Sequence, residues 1–271
     1  MPLHHRVLSF FLLLLPLALP TRGQAAGAAD WKSRVTCTPS PVAKDFPLPT
    51  GVDQDRLIRE LHPAPLLDTP DSVERSCSVL VRPWKAKPDH AIVVLETAVF
   101  EAAHASEANR SLRIGLFALP ITGESHALAK SEEPTAMESW SEVTFLDFAP
   151  YRITPDTTAF GVRLTRNFMY AGGGGMNETL YLFRVRDATI EPILTTLIRS
   201  SSITAGEWND DGTRDHSENG SDDPAVLSVA KNKTQGFFDL KKSLHGKSVV
   251  FRWKGSTYQA KGKDPVEDVN N

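Results

Sequence analysis

Residues 158–165 read Thr158-Ala-Phe-Gly-Val-Arg-Leu-Thr165, and their alternation decides the fold class. Phe160, Val162 and Leu164 take every second position, with Ala159, Gly161 and Arg163 between them. A period of two puts the three apolar side chains on one side of an extended chain, so the segment reads as a half-buried β-strand. Met169 and Tyr170 then lead into the glycine run 172–175, and an apolar run returns at 180–185. That order predicts two strands around a glycine-rich turn.

The same signal extends in both directions. Upstream, residues 78–84, 91–100, 111–119 and 141–148 are apolar, β-branched or alternating, with Leu112, Ile114 and Leu116 on one face of the third. Downstream, 226–229, 236–240 and 247–253 read as strands, the last with Val249, Phe251 and Trp253 on one face. Lys254-Gly255 makes a tight turn into residues 256–259. Residues 192–203 are ambiguous: Leu194, Leu197 and Ile198 fit a helix, while the β-branched density fits a strand. One helix is predicted over 52–61, with Asp53 as cap and Leu57, Ile58 and Leu61 on one face, ended by His62-Pro-Ala-Pro65. The expected fold is mainly β, an antiparallel sandwich, barrel or partial propeller-like set of sheets with one short N-terminal helix. Residues 29–76 read as an irregular N-terminal segment carrying that helix, 77–260 as the β-rich domain and 261–271 as a charged, flexible tail.

The N-terminus has the form of a signal peptide. His4, His5 and Arg6 precede an apolar run, and small residues follow up to Ala28. Removal of residues 1–28 takes away Arg6 and Arg22 and no acids, which moves the formal charge from -3 to -5. A mildly acidic chain without a basic stripe argues against general nucleic-acid binding. Lys241, Lys242 and Lys247 read as a solvated strand face. The mature chain holds no run long and apolar enough to predict a transmembrane segment. Cys37 and Cys77 are the only cysteines. In an exported chain, a single pair is expected to form one disulfide. Closing a loop of about 40 residues would stabilise the fold by roughly 3–4 kcal/mol on the chain-entropy model.

The run Glu207-Trp-Asn-Asp-Asp-Gly-Thr-Arg-Asp-His-Ser-Glu218 is the strongest chemical signal. Oxygen-bearing side chains stand at Glu207, Asn209, Asp211, Asp215 and Glu218. Gly212 permits a sharp turn that would let the carbonyl of Thr213 face an ion. A hard divalent cation takes six to eight such oxygens, so Glu207, Asn209, Asp211, Thr213, Asp215 and Glu218 are the candidate calcium ligands. The spacing resembles an EF-hand loop with Glu in place of the first Asp, and also the loops of FG-GAP repeats and dockerin modules. The proline and β-branched residues after it favour strand–loop–strand, closer to the FG-GAP type. The competing reading is a solvated acidic turn, since residues 207–223 hold seven acids against Arg214 alone.

Other patterns carry less. The glycine run 172–175 lacks phosphate-loop spacing and reads as a hairpin loop. No pair of histidines has zinc-site spacing, and neither HExxH nor GxSxG occurs. Glu96, Glu101 and Asp147 lie in or near strands, where a glycosidase would need two carboxylates. The aromatic stretch 145–152 reads as core entering a proline turn. Asn109, Asn177, Asn219 and Asn232 begin N-x-[ST] sequons. In general style the chain resembles exported bacterial proteins. Together these features point to a non-enzymatic, β-rich envelope or extracellular protein with a structural calcium loop. Its role would be that of a binding or inhibitory module for a protein or glycan partner, in the periplasm or outside the cell. The alternative is a secreted hydrolase that acts on cell-wall or polysaccharide material through carboxylates.

Overall fold

The computed structural model describes residues 35–39, 53–61, 72–101, 108–122, 125–138 and 140–266. The expected signal peptide lies outside them. The chain is mainly β, with one short helix and a nearly closed, barrel-like large sheet. Its elements are β1 (Val35–Pro39), α1 (Gln54–Leu61), β2 (Ser72–Trp84), β3 (Lys87–Glu101), β4 (Ala108–Ala118), β5 (Ala129–Lys130), β6 (Thr135–Met137) and β7 (Ser141–Arg152). There follow β8 (Thr158–Tyr170), β9 (Gly173–Arg186), β10 (Thr189–Trp208), β11 (Arg214–Ser221), β12 (Val226–Thr234), β13 (Phe237–Leu244), β14 (Lys247–Lys254) and β15 (Thr257–Lys261).

Two antiparallel meanders, β2-β3-β4 and β7-β8-β9-β10, make the large sheet, and the two-residue β5 joins β4 to β10. The alternation at 158–165 turns Phe160, Val162 and Leu164 inward. There they meet Leu80, Trp84, Ile92, Val94, Leu112, Ile114 and Phe183. The interior is filled: Trp84 meets Phe160 edge to face with centroids 5.5 Å apart, and Phe160 stacks on Phe183 at 5.8 Å. Where β3 and β4 face β7, side chains bridge strands that share no backbone ladder among the described residues. The Val143 N–H donates to Glu96 Oε2 (3.4 Å), Arg110 Nη1 donates to Glu96 Oε1 (2.7 Å), and Arg110 also donates to the Ser141 carbonyl.

Helix α1 covers the outer face of β2–β4. Asp53 caps it, accepting the Arg56 N–H, and Leu57, Ile58 and Leu61 are buried against Val79, Val81, Val93 and Phe117. Gly115 provides the room, since a Cβ there would stand 2.6 Å from Leu61 Cδ2. The small sheet is the meander β12-β13-β14-β15 with three two-residue turns. Two of these, Gln235-Gly236 and His245-Gly246, have both residues at positive φ, as type I′ hairpins require. Val249, Phe251 and Trp253 are buried on one face, as their spacing predicts, against Leu180, Leu182, Leu194 and Ile198 of the large sheet.

Several boundaries differ from the sequence reading. Residues 192–203 form the middle of the strand β10, because β9 supplies a ladder partner along nearly their whole length. The 145–152 stretch does not turn at Pro150; β7 runs through it with a register shift, which accommodates a residue that has no N–H to donate. The segment expected to be irregular up to residue 76 contains β1 and the start of β2. The C-terminal segment is packed at least to Val266, which is buried with Ala225 and Leu244.

Candidate functional site

Beyond Arg166 the chain departs from the barrel. The last β7–β8 pair is Ser141 with Arg166, after which the ends of β8, β9, β10 and β11 pair only with one another. They form a four-stranded antiparallel arm. The glycine run is the inner strand of this arm and not a loop: Gly173, Gly174 and Gly175 each pair with β8 on one side and β10 on the other. Side chains would not fit there. A Cβ on Gly173 would stand 1.9 Å from the Ile203 carbonyl oxygen, and one on Gly175 would stand 2.5 Å from both the Phe168 ring and the Ser201 carbonyl oxygen. The rings of Phe168 and Tyr170 occupy the space the missing side chains leave, and the Tyr170 hydroxyl donates to the Ile203 carbonyl at 3.4 Å.

The arm carries large apolar side chains in water. Met169 is 90% exposed, Trp208 68%, Tyr170 50% and Ile203 46%. Register sets Met169, Gly174, Ile203 and Glu218 side by side on one face of four adjacent strands. At the tip, the Arg214 guanidinium lies over the Trp208 ring at 5.3 Å while its Nε donates to the Gly206 carbonyl. Trp140, exposed and at φ 67, stands beside the root of the arm at the start of β7.

The proposed calcium ligands sit at the β10–β11 turn, which is strand–loop–strand as the flanking residues suggest. Asn209, Asp211, Thr213 and Asp215 come together. Asp211 Oδ1 accepts both the Thr213 N–H (2.9 Å) and its hydroxyl (2.6 Å), and these bonds hold its carboxyl below the usual carboxylate range. Asn209 Nδ2 donates to Thr213 Oγ1 (3.0 Å) and to Asp215 Oδ1 (3.4 Å), while the Thr213 carbonyl accepts the Asn209 N–H at 2.8 Å. The turn's own hydrogen bonds therefore engage groups that an ion would need. Glu207 belongs to β10, and Glu218 is the Cα partner of Ile203 partway along β11, so the register carries it away from the turn. Among the described residues, no group of three or more His, Cys, Asp or Glu is gathered as a metal site would require.

The strand carboxylates are not brought together. Glu96 faces the barrel interior beside Ser78 and Arg110. Asp147 lies on the opposite, outer side: it is in register with Gly161, where an added Cβ would meet both Leu180 and Asp147. Asp147 Oδ2 accepts from Arg163 Nε (2.9 Å), Arg163 Nη2 (2.6 Å) and the Tyr151 hydroxyl (3.0 Å). Burial, with the Asp147 charge added, holds the Tyr151 phenol well above its ordinary range. Each carboxylate is committed to a structural network. The side chain of Glu101 lies outside the described residues.

Lys242 is not on a solvated face. It is wholly buried, and its Nζ donates to Thr196 Oγ1 (2.7 Å), to the Leu197 carbonyl (2.7 Å) and to Asp264. Beside it a cleft of about 500 Å³ runs between Leu194–Leu197 and Tyr258–Asp264. Because the lysine charge is matched by Asp264, this corner acts as a joint between β10, β13 and the C-terminal segment. Cys37 and Cys77 are Cα partners in the parallel β1–β2 pair, and Cys77 is buried. Paired residues of neighbouring strands stand about 4.8 Å apart, within the reach of a disulfide.

Sequence reasoning missed the arm and its exposed apolar side chains. Its signal was Phe168 and Tyr170 alternating opposite a glycine run, with Trp208 embedded among acids. No helix among the described residues is long and apolar enough to cross a membrane. Compared with known proteins, the chain matches no family model, no curated protein and no solved structure.

Proposed function

We propose that this chain is an exported, non-enzymatic binding module and that the β8–β11 arm is its recognition surface. The observation that carries the reading is the exposure of Met169, Tyr170, Ile203 and Trp208 on strands that pair only with one another. Clustered exposed apolar side chains of this size mark interaction sites, and aromatic anchors supply much of the energy in such contacts. Export agrees with the signal-like N-terminus and with a Cys37–Cys77 disulfide, which the register supports. Calcium at Asn209, Asp211, Thr213 and Asp215 would fix the tip of the arm. It would have to displace the Thr213 bonds to Asp211, and a calcium-dependent rise in melting temperature that Asp211→Ala abolishes is its signature.

The decisive experiment places a photo-crosslinking amino acid at position 208 or, as control, at exposed position 247, in the chain exported from its native host. A discrete adduct from 208 and none from 247 is expected. Equal labelling at both positions, or no adduct from 208, sinks the reading.

A further inference from the structure

We propose that the arm docks a cationic, extended polypeptide segment across its Met169–Ile203 face as far as Glu218 on β11, an inference that rests on reading the arm as the recognition surface. Charge distribution is the first reason. Residues 207–223 sum to −6, seven acids against Arg214, in a mature chain whose formal charge is −5, so all its other residues together sum to +1. The net negative charge of the chain is thus concentrated in this one stretch, and the remainder is close to neutral. Opposite charge on a partner would steer encounter and fix orientation, while like charge would repel a second copy of the same edge.

The second reason is the shape of the face. Gly174 presents bare backbone between Met169 and Ile203, with Glu218 completing the row on the outermost strand. A flexible thioether and a branched aliphatic side chain flanking a flat strip suit an apolar side chain of variable shape. The third reason is the edge itself. Among the described residues, β11 pairs only with β10, so the row ends at an edge where Glu218 has no neighbouring strand beyond it. Asp215 and Glu218 lie on that edge strand and are exposed. A segment laid across this row would set its apolar side chains against Met169 and Ile203, and its lysines or arginines would reach Glu218 and the neighbouring acids.

The test uses the purified chain and an alternating Lys–Leu decapeptide, with a Glu–Leu decapeptide as the charge-reversed control, followed by calorimetry. Saturable binding of the Lys–Leu peptide alone is expected, weakened about tenfold between 50 and 300 mM salt. The variant Asp210→Asn/Asp211→Asn/Asp215→Asn/Glu218→Gln should lose about tenfold in affinity, and Met169→Ser/Ile203→Ser a similar factor at fixed salt. Unchanged melting curves would show that both variants remain folded. No saturable binding, or equal binding by the neutralised variant, overturns the proposal. Binding of a cell-wall oligosaccharide that needs Met169 and Ile203 and ignores the neutralised acids would assign the face to a glycan and also overturn it. So would a dimer that Ile203→Arg dissolves. If crosslinking at 208 captures a partner while the Lys–Leu peptide fails, the arm keeps its role and only the cationic partner is lost.

Discussion

Gly173 shows how much one absent side chain decides. The Ile203 carbonyl oxygen lies where a Cβ would be, so β9 and β10 approach there only because nothing projects between them. Gly173→Ala should therefore push the two strands apart within the arm and leave the barrel intact. The expected cost is about 1–3 kcal/mol of local stability, typical of an overpacked site. Amide exchange should speed up at residues 173–177 and 200–208 and stay unchanged at 158–165; unaltered exchange in the arm would refute the clash. The sequence displays four glycines in a row, but their meaning depends on which backbone faces them, and that is set by β10 almost thirty residues later. Lys242 was equally illegible. Its three partners come from β10 and from the C-terminal segment, so a local reading saw only a lysine among lysines.

Elements were legible in proportion to how far local chemistry determines them. Helix α1 carries its own cap and apolar face in eight residues. The strand at 247–253 shows its period of two because one face is buried; at 158–165 residues 159–162 are buried on both faces, and the period lies in the bulk of Phe160, Val162 and Leu164 against small Ala159 and Gly161. β11 has no such pattern: Arg-Asp-His-Ser-Glu-Asn-Gly-Ser is held by backbone pairing to β10, which leaves no trace in hydropathy. For the same reason the oxygen spacing of residues 207–218 looked like a continuous loop, whereas a strand begins within it at Arg214. Helix α1 also has a pH-dependent attachment. Burial alone would raise the Glu60 carboxyl, but the Ala127 N–H, His126 and Lys130 outweigh it and hold it below its ordinary value of 4.5. A depressed folded value stabilises above the unfolded value and loses that contribution as pH falls through the folded one. Melting temperature should therefore fall more steeply with acid in the wild type than in Glu60→Gln, with the difference confined to below about pH 5. Parallel curves would show that Glu60 does not tie the helix down.

At the scale of the molecule, a barrel-like sheet and a small meander share one core, and the Lys242 joint lies at its edge. A buried ion pair is costly to halve and cheap to replace as a whole. Asp264→Ala leaves the lysine charge stranded and should lower unfolding stability by about 3 kcal/mol, whereas Asp264→Ala/Lys242→Met removes the pair as a whole and should lower it by only about 1 kcal/mol. Urea denaturation distinguishes them, and equal losses would contradict the assignment. Barrel, sandwich and propeller readings all share antiparallel strands at short spacing, and what separates them is closure, which lies in pairings such as Glu96 with the Val143 N–H across the seam. The 20 residues of β10 run without a break from the filled barrel to the tip of the arm. At strand rise this is a beam of about 65 Å. The arm is thus carried on a strand it shares with the barrel, so a load at Trp208 passes along β10 to the root.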